Sequence, residues 1–178
     1  DAAMCNHPGL NAVLLFGGIE TTEATIANAL LHLLSNPAER ALLEADPALV
    51  ANAVEESLRL EPAAAVIDRY ATRDVELGGA AIGERELVRL SLAGANRDQD
   101  VFRDPDRFDV RRDNARLQIA FAHGPHVCLG MHLARLEAQT AVRRTLERLP
   151  GLRLDSSHPS EVRGLVFRKP VTLHVVWG

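Results

Sequence analysis

The sequence predicts a mainly α-helical fold with small β-sheets. Apolar residues at helical spacing, with proline or glycine near the ends of each segment, predict four helices over residues 11–34, 38–45, 48–60 and 128–149. Short alternating segments next to glycines predict strands that are too short for a large sheet. With 178 residues, 47% of them hydrophobic, the chain is long enough to bury a core of its own.

The first predicted helix is apolar on every face, as expected of a helix that passes through the centre of a protein. Pro8 and Gly9 predict an irregular segment over Asp1–Leu10, so the helix is expected to begin at Asn11. No role is assigned to that opening segment. The segment that follows is expected to form the central element of the fold.

Gly17 and Gly18 interrupt this apolar helix, and each costs about 1 kcal/mol relative to alanine. Glu20 adds a charge that is costly on an apolar surface. Glycines allow a ligand to approach the backbone, the Thr21 hydroxyl can bond a carbonyl one turn back, and a nearby acid can carry protons. The alternative interpretation is a helix end with capping threonines.

Two Asx-Pro pairs predict where the next helices begin. Asn36-Pro37 and Asp46-Pro47 each place a capping residue before a proline at the first helical position. On the second of these helices Glu56 and Arg59 are three residues apart, so they share a face and can pair. From the residues alone, an exposed pair that adds little stability is the favoured interpretation.

The rest of the chain predicts short strands and turns. Strands are expected around residues 66–70, 75–77, 87–92, 152–154, 165–167 and 171–177. A short helical piece is expected from Ala95, and Asp104–Asn114 reads as an irregular polar segment.

Cys128 follows a forced turn. Gly124 and Pro125 cannot lie in a regular helix without cost, and an apolar helical stripe begins just after Cys128. A cysteine near a helix N-terminus meets unpaired amides that favour the thiolate form, which ligates metals or attacks electrophiles. Gly124 and Gly130 leave room for a flat group close to the backbone. The alternative is an ordinary buried cysteine.

A second alternative for this loop is a zinc site. His123, His126 and Cys128 could supply three ligands. A closed structural site needs four ligands, and only Cys5 or His7 could complete it.

Composition excludes some classes of function. The formal charge is -4, and lysines and arginines form no basic run, so no nucleic-acid partner is expected. Cys5 and Cys128 are far apart, which argues against a disulfide framework and for a reducing, cytoplasmic location. The longest apolar run, Ala12–Phe16, is too short to cross a bilayer, so no membrane association is evident.

Phe121, Gly124, Cys128 and Gly130 have the spacing F-x-x-G-x-x-x-C-x-G, and Leu-Ala-Arg-Leu-Glu follows. This stretch resembles the haem-binding loop of the cytochrome P-450 monooxygenases. The resemblance implies the cytochrome P-450 fold, with residues 1–178 as a partial domain that holds only its C-terminal, haem-side half. It also implies haem b (iron protoporphyrin IX) as cofactor, with Phe121, Gly124 and Gly130 around it and the Cys128 thiolate as the iron ligand.

Other motifs of the family occur in the same order. Gly17-Gly18-Ile19-Glu20-Thr21 resembles the central-helix motif, which implies that Gly18 lies against the haem and that Glu20 and Thr21 activate oxygen and deliver protons. Arg69 and His126 stand where the family binds the haem propionates. An arginine suits that role because its guanidinium offers a fork of donors.

Glu56-Ser57-Leu58-Arg59 is similar to the E-x-x-R motif of the family, and the segment Pro105–Phe108 is similar to the one that supplies a second arginine. The resemblance therefore implies a buried structural network of Glu56, Arg59 and Arg107. Removing one member of such a network would leave a buried charge without a partner.

The activity that the resemblance implies is insertion of one oxygen atom of dioxygen into a small organic substrate. Electrons would come from NAD(P)H, usually through a ferredoxin-type partner. Because the N-terminal half of the family domain is not in this sequence, we expect the segment alone to be a poor enzyme. The alternative is a non-catalytic, haem-holding partner of another enzyme, although Glu20, Thr21 and Cys128 together favour chemistry.

Overall fold

A computed structural model describes the backbone of residues 8–178 and the side chains of residues 17–178. Over this range the helices are α1 (Pro8–Ser35), α2 (Pro37–Ala45), α3 (Val50–Leu60), α4 (Leu92–Ala95) and α5 (Met131–Arg148). The strands are β1 (Val66–Tyr70), β2 (Val75–Leu77), β3 (Ala80–Ile82), β4 (Leu87–Ser91), β5 (Arg153–Leu154), β6 (Val162–Arg163), β7 (Lys169–Pro170) and β8 (Val175–Val176). They form the antiparallel pairs β1–β4, β2–β3, β5–β8 and β6–β7. The predicted mainly α fold with small sheets is confirmed.

Helix α1 begins earlier than predicted and does not end at its glycines. Pro8 lies in the first turn, where its missing N–H would have had no intrahelical partner. The predicted irregular conformation is therefore wrong for residues 8–10, and residues 1–7 lie outside the described part. The helix continues through Gly17 and Gly18 to Ser35, so the alternative of a threonine-capped end is also wrong.

The two Asx-Pro pairs precede helical turns, but only one of them caps through its side chain. Asp46 Oδ1 accepts a hydrogen bond from the Ala48 N–H at 3.1 Å, at the start of a 3₁₀ turn over Pro47–Leu49. Asn36 instead donates from Nδ2 to the His32 carbonyl, at 2.8 Å. The predicted helix over 48–60 is thus a 3₁₀ turn followed by α3.

Helices α1, α3 and α5 enclose the main core. Leu33 of α1, Val54 of α3 and Val142 of α5 are completely or almost completely buried in one cluster with Phe108 and Val110 from the irregular segment. Burying a leucine, valine or phenylalanine side chain contributes about 1.5–3 kcal/mol. The cluster therefore fixes α5, which follows the cysteine loop, against the central helix.

The short strands follow the predictions where a turn defines them. Gly78 and Gly79 have φ angles of 58° and 79°, the left-handed conformation that a tight hairpin turn needs, and they join β2 to β3. Strand β3 was not predicted. Near the C-terminus, the predicted strand over 165–167 reduces to an isolated antiparallel bridge between Phe167 and Ala64. The predicted strand over 171–177 shrinks to β8, because such short pairings depend on the partner strand more than on propensity.

Helix α4 spans Leu92–Ala95 and ends where the short helical piece was predicted to begin, so the predicted position is wrong. Ser91 ends β4 and caps the helix, since its hydroxyl accepts a hydrogen bond from the Gly94 N–H at 3.0 Å. In the described part of the chain, no helix is both long enough and apolar enough to cross a membrane.

His32 is a partly buried histidine at the contact of α1 with α3. Its Nδ1 lies 2.9 Å from the Ser57 hydroxyl, and its ring centroid lies 5.3 Å from that of Phe108. Burial, followed by the positive charges of Arg97 and Arg59, lowers the pKa of His32 to about 4. The imidazole is therefore neutral in the folded protein at neutral pH.

We expect acid to destabilise the fold through His32. His32 takes up a proton near pH 6.5 in the unfolded chain but only near pH 4 in the folded chain. The free energy of unfolding is therefore unaffected by His32 above pH 6.5 and falls as the pH drops from 6.5 to 4. The loss amounts to about 3 kcal/mol at pH 4 and below. Urea unfolding of His32→Gln at pH 7 and pH 4.5 should show a smaller pH dependence than the wild type. His132→Gln, at an exposed position, is the control, and an unchanged pH dependence in His32→Gln would contradict the prediction.

Candidate functional site

Cys128 lies in the loop that enters α5. Helix α5 begins at Met131, three residues later than Cys128, so the predicted position near the helix start is approximate. The Cys128 N–H donates to the Phe121 carbonyl at 2.9 Å, and its own carbonyl accepts from the Met131 N–H at 3.3 Å. Cys128 is exposed and free, which excludes the alternative of an ordinary buried cysteine.

The backbone of this loop has two residues in the left-handed region. Gly124 has φ 80° and begins a 3₁₀ turn, while Ala122 has φ 59°. A non-glycine residue pays about 1–2 kcal/mol for this conformation, so the surrounding contacts must hold it. A Cβ atom added at Gly124 or Gly130 would meet nothing within 4 Å, so the face of the loop is open enough for a flat group.

Phe121, on the inner side of the loop, is held by α5 and α3. The Arg135 guanidinium of α5 lies over the Phe121 ring, 4.6 Å from its centroid. Arg135 Nε also donates to Glu55 of α3 at 2.6 Å, and Gln118 donates to the second Glu55 oxygen at 3.0 Å. The sequence predicted none of these contacts. The available signal was Glu55 itself, a carboxylate that directly precedes Glu56.

The glycine-containing part of α1 has the local geometry expected from its residues. The Thr21 hydroxyl donates to the Gly17 carbonyl at 2.5 Å, one turn back. Glu20 is partly exposed, and its Oε1 lies 3.8 Å from Lys169 Nζ of β7, which is closer to Glu23 at 3.1 Å. The sequence did not predict this lysine.

An exposed apolar surface runs along α5 from Cys128. Leu129, Leu133 and Leu136 lie about one turn apart, and Leu129 is 83% exposed. Leu136 and Thr22 of α1 line one open groove between the two helices. Contiguous exposed apolar residues mark a ligand or interaction surface, so the thiol stands at the edge of such a surface.

Arg69 and His126 are both exposed. Arg69 lies in β1, where Nη1 donates to the carbonyl of neighbouring Asp68 at 2.8 Å. The Asp68 carboxylate binds Arg89 through two 2.8 Å hydrogen bonds, which lower its pKa. No described side chain forms an ion pair with Arg69, so its guanidinium is available to an anionic group.

Glu56 and Arg59 form a completely buried pair, with side chains 0% exposed. Arg59 donates to both Glu56 oxygens, at 2.7 and 2.9 Å, and also to the carbonyls of Asn96 and Pro105. The exposed pair favoured by the residues alone is therefore wrong. The pair lies in the protein interior and binds the backbone of the irregular segment.

The second arginine of this network is Arg112 and not Arg107. Arg112 Nε donates to Glu56 Oε1 at 2.9 Å, and its other nitrogens bind the carbonyls of Arg103, Asp104 and Arg107. The Arg107 side chain is 63% exposed, and among the described side chains its one ion-pair partner is Glu39, at 3.6 Å. The predicted guanidinium was wrong, because Arg107 contributes its carbonyl oxygen while its side chain points to solvent.

The zinc alternative finds no support in the geometry. Among residues 17–178, no three histidine, cysteine, aspartate or glutamate side chains are grouped closely enough to hold a metal ion. His123, His126 and Cys128 therefore do not form the cluster that this alternative requires, and Cys5 and His7 lie outside the described residues.

Known proteins with similar sequences belong to the family whose motifs the cysteine loop and the buried network resemble. The sequence profile of the family described as Cytochrome P450 matches residues 45–172. Cytochrome P450 107B1 of Saccharopolyspora erythraea is 48% identical over 152 residues, which cover 85% of this chain and 37% of that protein. Cytochrome P450 monooxygenase PikC of Streptomyces venezuelae is 47% identical over 155 residues, or 86% of this chain and 37% of that protein.

Solved structures give the same result. The structure of P450BioI in complex with an acyl carrier protein ligated to hexadec-9Z-enoic acid matches with a TM-score of 0.88 and 40% identity. The match covers 93% of this chain and 43% of that structure, so the chain spans about two fifths of the length of the relatives it matches. The matched family profile, these identities and the shared fold lead to one conclusion: the chain belongs to the cytochrome P450 family.

Proposed function

We propose that residues 1–178 supply the haem-side part of a cytochrome P450 monooxygenase that inserts one oxygen atom into a small organic substrate. The observation that carries this proposal is Cys128, an exposed thiol at the end of an exposed apolar surface, in a loop whose glycines leave open space. Cytochromes P450 bind haem b, and a flat, largely apolar group of this kind suits such a surface.

The residues present fit this cofactor. Cys128 would ligate the iron, and Arg69 and His126 would bind the propionates, because both are exposed polar side chains without an ion-pair partner among the described residues. Gly18 of α1 and Phe121, Gly124 and Gly130 of the cysteine loop would contact the haem ring. Bound in this way, haem with a thiolate ligand supplies the chemistry of O–O bond cleavage.

Glu20 and Thr21 would transfer protons at the site. Glu20 is partly exposed, so its carboxylate can exchange protons with water and turn towards the interior of the site. The Thr21 hydroxyl donates to the Gly17 carbonyl, which leaves its oxygen free to accept a hydrogen bond from water or from a protonated Glu20 carboxyl. The pair would therefore carry protons from solvent to the oxygen-binding face of the site.

The remaining parts of the proposal concern partners and location. Two electrons per turnover would come from NAD(P)H through a ferredoxin-type partner, in a reducing cytoplasmic compartment. Because the chain spans 37% of the length of its curated relatives, we propose that the rest of the family domain is required for efficient turnover. The 178-residue chain alone should therefore turn over substrate poorly.

A carbon monoxide difference spectrum of the reduced, haem-loaded protein tests the proposal. We expect the 178-residue chain to show the thiolate-type Soret band of the family but only slow substrate-dependent consumption of dioxygen and NAD(P)H when a ferredoxin and its reductase are added. Fast consumption would contradict the proposal that the rest of the family domain is required. A thiolate-type band without substrate-dependent consumption in a longer protein that holds the whole family domain would favour the non-catalytic, haem-holding alternative. Absence of the thiolate-type band would overturn the assignment of Cys128.

A further inference from the structure

We propose that Arg135 is a positioning residue for the cysteine loop, acting through Phe121. The inference rests on the proposed role of Cys128 as the iron ligand. It adds a physical connection that runs from the buried carboxylate of Glu55 through Arg135 and the Phe121 ring to the backbone of Cys128.

Glu55 anchors this connection. It lies on α3, is almost completely buried, and binds Arg135 through both of its oxygens, at 2.6 and 3.2 Å. The 3.0 Å hydrogen bond from Gln118 holds the same carboxylate from a third direction. A planar guanidinium held at two points has little freedom to rotate, so Arg135 occupies one position relative to α3.

Arg135 in turn holds Phe121 of the cysteine loop in place. Its guanidinium lies over the Phe121 ring, and the carbonyl of the same phenylalanine accepts the hydrogen bond from the Cys128 N–H. Ala122, next along the chain, is held in a left-handed conformation that needs support from its surroundings. A shift of the Phe121 ring would therefore move the carbonyl that orients Cys128.

The geometry distinguishes Arg135 from an ordinary surface arginine on the same helix. The Arg135 side chain is 25% exposed and its partner Glu55 is buried, whereas Arg144 is 61% exposed and pairs with an exposed Glu147. Exposed pairs contribute about 0–1 kcal/mol and need not order their neighbours. Arg144 is therefore the matched control for a substitution at Arg135.

The test compares Arg135→Met, Arg135→Lys and Arg144→Met with the wild type in the intact protein. Hydrogen–deuterium exchange should show the Cys128 amide exchanging about tenfold faster in Arg135→Met. This factor corresponds to about 1.4 kcal/mol, which lies within the range of a partly buried cation–π contact. Arg135→Lys keeps the charge and should lie between the wild type and Arg135→Met. Amides in the core of α3 should be unchanged in all three variants.

A second measurement reports the state of Cys128, the proposed iron ligand. In the reduced carbon monoxide complex, Arg135→Met should convert part of the thiolate-type band to the band of a protonated or displaced thiol, while Arg144→Met keeps the wild-type spectrum. If Arg135→Met does not fold, Glu55→Gln tests the same connection from its other end. An unchanged exchange rate at Cys128 would overturn the inference, and so would faster exchange throughout α3. A wild-type protein that lacks the thiolate-type band would overturn the proposed function, while the exchange data would still test the connection.

Discussion

Replacing Arg112 with methionine is expected to destabilise the fold by about 3–5 kcal/mol. Arg112 is almost completely buried and binds Glu56, whose side chain has no exposure at all. The substitution leaves this buried carboxylate with one guanidinium partner in place of two, and removes one donor from each of three backbone carbonyls. Removing one member of a buried charged network has this cost because the remaining charge cannot reach water.

The matched control is Arg107→Met. The Arg107 side chain is mostly exposed, and its carbonyl, which the network does use, is unaffected by the substitution. The free energy of unfolding of Arg107→Met should differ from that of the wild type by no more than about 0.5 kcal/mol. Urea unfolding of both variants measures the difference, and Arg112→Lys replaces Arg112→Met if the latter does not fold. Equal destabilisation by the two methionine variants would show that the buried network is assigned incorrectly.

The network uses the Arg112 guanidinium where the sequence predicted that of Arg107, and this error shows a limit of prediction from sequence. Both arginines lie in one irregular segment, five residues apart, and no periodicity indicates which side chain turns inward. The choice is made by the turns of Asp104–Asn114, which direct the Arg107 carbonyl to Arg59 and the Arg112 guanidinium to Glu56. These turns depend on contacts with α3, which lies far away in the sequence, so the residues of the segment alone do not reveal them.

The helices and the cysteine loop were more accessible to prediction. A long apolar pattern, Asx-Pro starts and a Gly-Pro turn each leave a local signal, and α1, α2 and α5 lie within three residues of their predicted bounds. The contact of Arg135 with Glu55 leaves no such signal, because the two residues are 80 positions apart. Such a contact exists only once α3 and α5 have packed on α1.

Replacing Cys128 with serine is expected to abolish the thiolate-type carbon monoxide spectrum and to reduce monooxygenation more than any other single substitution. Even the residues that support a metal ligand typically cost 10–100-fold in activity or affinity when removed, so loss of the proposed ligand itself should exceed about 100-fold. The free energy of unfolding, measured without haem, should change by no more than about 0.5 kcal/mol, because Cys128 is exposed.

The same substitution at the other cysteine, Cys5→Ser, separates the role of the loop from a general effect of losing a thiol. Since no role is predicted for Cys5, its variant should keep the wild-type spectrum and turnover. Cys128→His adds a third case: imidazole can ligate iron without the negative charge of a thiolate, so haem should remain bound while the Soret band shifts and oxygen insertion is lost. Full activity in Cys128→Ser would mean that the iron ligand, and with it the proposed site, lies elsewhere in the protein.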